Sequence, residues 1–119
     1  MDKIAHILIV DDQPDNRFIL EELLSDRYVA HAMTDGQAAL AYLEAGGAAD
    51  LILLDVVMPG IDGYEVCRRI KANPATRDIP VLFLTSLESN ADEAYALTLG
   101  AEDFIHKPFS APVVLARVR

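Results

Sequence analysis

The sequence predicts an α/β fold: five β-α units forming a doubly wound parallel sheet with helices on both faces. Three observations carry this. Apolar runs of strand length recur at residues 4–10, 28–32, 51–54, 81–84 and 104–105. The third and fourth are almost wholly apolar, the pattern of strands buried on both faces rather than half in water. Segments with helix punctuation separate the runs, and short alternating units of this kind close into a parallel sheet through right-handed crossovers.

Taken in order, the first run ends in Asp11-Asp12, and Pro14 suits the first turn of a helix carrying Phe18, Ile19, Leu23 and Leu24 as its apolar stripe. After the second run, Thr34-x-x-Gln37 has the spacing of a capping box before Ala38, Ala39, Leu40 and Leu43, and Gly46-Gly47 ends that helix. The third run leads through Asp62-x-x-Glu65 into a helix with Val66, Cys67 and Ile70 on one face, stopped at Asn73-Pro74. Ser89 caps a helix over 91–99 that Gly100 terminates, and Ser110 opens the last one with Pro112 in its first turn. That last helix reaches Arg119 without a stop signal, so residues 1–119 read as one domain cut from a longer chain.

With 52% hydrophobic and 24% charged residues the chain is globular rather than disordered. No apolar stretch approaches the ~18 residues a bilayer span requires, and the start lacks the layout of a secretion signal. A single cysteine, Cys67, cannot form an internal disulfide, which suits a cytoplasmic protein. The net charge of -9 argues against direct nucleic-acid binding, which depends on cations displacing counterions.

The chemistry is predicted where ligands of open α/β sheets bind, outside the carboxyl ends of the strands. Strand one ends in Asp11-Asp12, strand three in Asp55, strand four in Thr85-Ser86 and strand five in His106-Lys107-Pro108. Neighbouring strands lie about 5 Å apart, so these ends share a common centre within side-chain reach. Singly, each has an ordinary explanation as a helix cap, a turn residue or an exposed lysine. Jointly, four of five strands ending in polar groups at one edge is not explained that way.

Several carboxylates without a His/Cys cluster suit a hard divalent cation such as Mg²⁺. His6, His31 and His106 are scattered along the chain, and Cys67 lies mid-helix. A cation site beside a carboxylate, a hydroxyl and a lysine is suited to phosphoryl transfer, with the carboxylate as nucleophile.

The segments "ILIVDD", "LILLDVVMPGIDG", "VLFLTS" and "GAEDFIHKPF" together resemble the signature segments of two-component response-regulator receiver domains, in order and over essentially the whole chain. The resemblance implies a CheY-like, flavodoxin-like sheet of order 2-1-3-4-5. It implies that Asp55 accepts a phosphoryl group and that Asp11, Asp12, Asp55 and the backbone carbonyl of Val57 organise Mg²⁺, with Mn²⁺ able to substitute. It further assigns Thr85 as the switch hydroxyl, Lys107 as the phosphoryl-contacting lysine, Phe104 as the switch aromatic, and a cis bond at Lys107-Pro108. The implied partners are a sensor histidine kinase or phosphotransfer protein, an output domain or partner protein, and a homodimer formed through the fourth helix, fifth strand and fifth helix. Membrane and nucleic acid are not among them.

Two departures matter: Phe104 lacks a hydroxyl, and apolar Val57 and Leu87 stand two positions beyond Asp55 and Thr85. Neither apolar side chain can orient water, so slow self-dephosphorylation is expected. A haloacid-dehalogenase-like phosphatase would need an acid where Val57 stands. An FMN carrier would need phosphate-binding donors where "DDQPD" stands. A receiver-like interaction module without phosphorylation is the remaining alternative.

Overall fold

A computed structural model of the chain describes residues 4–86 and 90–118. Five parallel strands, β1 (His6–Val10), β2 (Val29–Met33), β3 (Leu51–Asp55), β4 (Val81–Thr85) and β5 (Asp103–His106), form one sheet of order β2-β1-β3-β4-β5. Five helices alternate with them: α1 (Pro14–Leu24), α2 (Gly36–Glu44), α3 (Gly63–Ala72), α4 (Asn90–Thr98) and α5 (Ala111–Val118). Both the doubly wound architecture and the order implied by the resemblance are what the chain adopts.

Period-two alternation divides the core. Leu8, Val10, Ile52, Leu54 and Phe83 pack on one side with Ala39, Leu43, Val66, Cys67 and Ile70 of α2 and α3. Ile7, Ile9, Leu53, Leu82, Leu84 and Ile105 pack on the other with Leu20, Leu24 and Val114 of α1 and α5. Because every central strand is buried on both sides, its sequence shows no polar face. Asp55 and Thr85 are therefore conspicuous: both are the final residues of their strands, and both are buried.

Two helix details differ from expectation. On α1 the buried positions are Leu20 and Leu24, spaced by four, whereas Phe18 and Ile19 are exposed. The face is set by i, i+4 spacing back from Leu24, not by where the largest apolar side chains stand. On α2 the N-cap is Asp35, one residue after Thr34, and its Oδ1 accepts from the Ala38 N–H at 2.7 Å. Asp62 caps α3 by accepting from the Glu65 N–H at 2.9 Å. The expected cap Ser89 lies outside the described residues. Gly100 ends α4 at φ 100, a left-handed turn that suits glycine. No described helix is long and apolar enough to cross a membrane.

Candidate functional site

Apart from Phe104, which lies within β5, each predicted site residue sits at or just beyond a strand end, and the ladder continues far enough to hold it. The Asp11 N–H donates to Met33 O, Val56 N–H to Leu84 O, and Lys107 N–H to Thr85 O. These bonds carry the ends of β1, β3 and β5 to one cavity, lined by Asp12, Gln13, Asp55, Val57, Thr85 and Lys107 among others.

The carboxylates of Asp11, Asp12 and Asp55 converge there with oxygens within 4.8 Å of one another. Asp11 is fully buried and Asp55 nearly so, while Asp12 is half-buried at the mouth. Lys107 reaches over from the turn after β5. Its Nζ donates to Asp55 Oδ1 at 3.0 Å and lies 3.4 Å from Asp11 Oδ2. The second contact is an ion pair without a hydrogen bond, and among the described residues Asp11 Oδ2 has no hydrogen-bond partner although it is buried. One ammonium thus contacts two of the three clustered acids. A buried carboxylate oxygen without a donor costs free energy, so this arrangement suits a further cation.

Electrostatics agree with the geometry. Burial pushes the Asp55 carboxyl up from 3.8 to about 6, the Asp11 and Asp12 charges push the same way, and the Lys107 hydrogen bond pulls it back. At neutral pH Asp55 is still mainly ionised, as an oxygen nucleophile must be.

The other predicted residues also take definite places. Thr85 is buried and lines the cavity. Val57 also lines it, but with its side chain 69% exposed. Phe104 is half-buried on the α2/α3 side, next to Phe83 across the β4–β5 register. The Lys107-Pro108 peptide bond is cis. Leu87 lies outside the described residues.

Three contributors carried no assigned role in the sequence reading. The Gln13 N–H donates to Asp11 Oδ1 at 2.9 Å, an Asx-type turn that the spacing of two residues would have suggested. Arg17 Nη1 donates to the Asp11 carbonyl at 2.7 Å. Gly63 opens α3 against the site: its N–H bonds Val56 O at 2.8 Å, and a β-carbon there would overlap the carbonyl of Asp55. The second glycine in "MPGIDG" is the sequence signal for that close approach.

The profile of the response regulator receiver domain matches residues 7–119. The response regulator PleD of Caulobacter vibrioides is 45% identical over 116 residues, covering 97% of this chain and 25% of its own length. A probable cyclic di-GMP phosphodiesterase of Vibrio cholerae is 46% identical over 112 residues, covering 94% of this chain and 25% of its own length. The chain thus spans about a quarter of these curated relatives. The solved structure of the Vibrio cholerae chemotaxis protein CheY4 superimposes with a TM-score of 0.92 at 28% identity, covering 98% of this chain and 97% of that one.

Proposed function

The chain belongs to the response regulator receiver family, and on that premise we propose that Asp55 is the phospho-accepting residue of a two-component pathway. The domain is regulatory, and its chemistry serves its own modification. The observation that carries this reading is the crowding of three carboxylates around one lysine, with a buried oxygen of Asp11 left without a donor.

Those residues fit a hard divalent cation. Asp11, Asp12, Asp55 and the Val57 carbonyl would hold Mg²⁺, or Mn²⁺ in its place. When bound, the ion neutralises charge on the acids and on the non-bridging oxygens of a phosphoryl group.

The donor is a phosphohistidine of a sensor histidine kinase or phosphotransfer protein. An Asp55 oxygen attacks phosphorus in line, and the P–N bond breaks with its electron pair returning to the imidazole. An acyl phosphate remains on Asp55. Lys107, already 3.0 Å from Asp55 Oδ1, moves its hydrogen bond to a transferred oxygen. The Thr85 hydroxyl donates to another, and Phe104 turns inward behind it. The face of α4, β5 and α5 then changes its engagement with an output domain, a partner protein or a second copy of the chain. Weak anchoring of α4 supports its role as the moving part. Of its side chains from 94 on, Ala96 alone is buried, while Tyr95 and Leu97 are exposed.

Acetyl phosphate or beryllofluoride with Mg²⁺ tests the reading. Wild type should gain one phosphoryl group by mass with acetyl phosphate, and Asp55→Ala should gain none. No gain in wild type, or an equal gain in the variant, would leave only an interaction module. Val57 at the cavity lip supports slow hydrolysis of the product, and a half-life of seconds would sink that part.

A further inference from the structure

Resting on the metal site proposed above, we infer that Arg17 is a positioning residue that sets the relative placement of Asp11 and Asp12. Three of the four polar atoms of Asp11 are held by hydrogen bonds. Its N–H donates to Met33 O, its Oδ1 accepts from the Gln13 N–H, and its carbonyl accepts from Arg17 Nη1 at 2.7 Å. The fourth, Oδ2, is left facing Lys107 and the neighbouring acids.

The carbonyl matters most for geometry. It belongs to the peptide plane joining Asp11 to Asp12, so holding it places the Asp12 Cα and narrows the directions in which the Asp12 side chain can depart. Two adjacent carboxylates repel, and rotation of that plane is one way for them to separate. Arg17 blocks this rotation from the fourth residue of α1, where its half-buried side chain reaches back over the helix start. The Gln13 N-cap offers no side-chain bond of its own there. Outer partners of this kind orient metal ligands without touching the metal.

A guanidinium beside an acidic site also has a purely electrostatic effect, and the two effects have opposite signs. A nearby positive charge repels a divalent cation, so if charge were all that mattered, removing Arg17 would tighten Mg²⁺ binding. If placement dominates, removing it loosens binding.

Isothermal titration of the unphosphorylated chain with Mg²⁺ reads the sign directly. Arg17→Met should weaken Mg²⁺ roughly tenfold, the lower end of the usual outer-partner effect. Arg17→Lys, which keeps a donor but lacks the planar fork, should weaken it by a smaller factor. In amide NMR spectra of the metal-free chain, the Asp12 resonance should shift or broaden in Arg17→Met while those of β4 stay in place. Equal or tighter binding in Arg17→Met overturns the inference. Should that variant fail to fold, wild-type affinity in Arg17→Lys overturns it. Failure of wild type to bind Mg²⁺ would instead remove the metal reading on which this rests.

Discussion

The two ends of the sheet each carry a cluster of ionisable groups, and they resolve it in opposite ways. Toward the start of β1, His6 Nδ1 and His31 Nε2 lie 2.9 Å apart with ring planes 6° from parallel and centroids 5.2 Å apart. Planes separated by no more than 2.9 Å are too close for face-to-face stacking, which needs about 3.5 Å. The rings meet edge to edge and share one N–H···N bond. The backbone there is also satisfied: the His6 N–H donates to Asp50 Oδ2, and the Asp50 N–H to His6 O. At the opposite end, three acids crowd together, two of them share one lysine, and a buried oxygen is left over. Polar groups that satisfy one another hold a fold together. A surplus that the chain does not satisfy is where a ligand belongs.

The sharpest way to break this contrast is to disturb the crowded end without altering its charge. Gly63→Ala drives a methyl group into the Asp55 carbonyl and the Val56 backbone. The neighbours there are backbone and cannot move aside cheaply. We expect a loss of about 3 kcal/mol in urea unfolding and at least partial loss of phosphoryl uptake. A near-neutral substitution would mean that α3 does not brace the site.

The next effect is pH-dependent. Asp55 is held at about 6, above its ordinary 3.8, so between those values the folded metal-free chain binds more protons than the unfolded one. Stability must then fall as pH rises from about 4 to about 6 and level off above. With solvent reaching the carboxyl through the cavity, we expect a decrease of about 2 kcal/mol. Urea midpoints measured without Mg²⁺ across this range should trace it, and Asp55→Asn should remove that component. A slope unchanged in Asp55→Asn would locate the surplus elsewhere. Smaller again is Asp12→Asn, which lowers the crowding by one charge. It should stabilise the metal-free chain by about 1 kcal/mol and weaken Mg²⁺ binding. A destabilised apo form would show that Asp12 is satisfied in a way the crowding argument denies.

How much of this was legible in the sequence follows from which forces act locally. The strands were readable because burial on both faces leaves an apolar run with no polar face, and Asp55 and Thr85 stood out by interrupting it. Five residues of the site could be gathered from strand ends alone, because a parallel sheet brings those ends to one edge whatever the loops do. The α1 face was ambiguous because Ile19 and Leu23 are spaced by four just as Leu20 and Leu24 are, so the sequence offers two adjacent apolar rows and packing on the sheet chooses between them. The α2 cap was misplaced by one residue because Thr34 and Asp35 are both good caps, and backbone direction chooses between them. Arg17 was not legible, since a side chain returning six residues to a backbone carbonyl leaves no pattern in the sequence.

The smallest effect tests the self-satisfied end. His31→Ala removes one partner of a single hydrogen bond together with the contact of its ring with Tyr42. His6 is only half-buried, so water can take up the lost partner, and the cost should be about 1 kcal/mol or less. The more informative reading is what should not change. β2 is the edge strand, and Ile7, Leu8, Ile9 and Val10 separate the β1 end of this pair from Asp11, so Mg²⁺ affinity and phosphoryl uptake should match wild type within error. If His31→Ala alters either, the two ends are coupled through the β1–β2 pair. The division between a structural cluster and a functional one would then have to be replaced by a single network running the length of that pair.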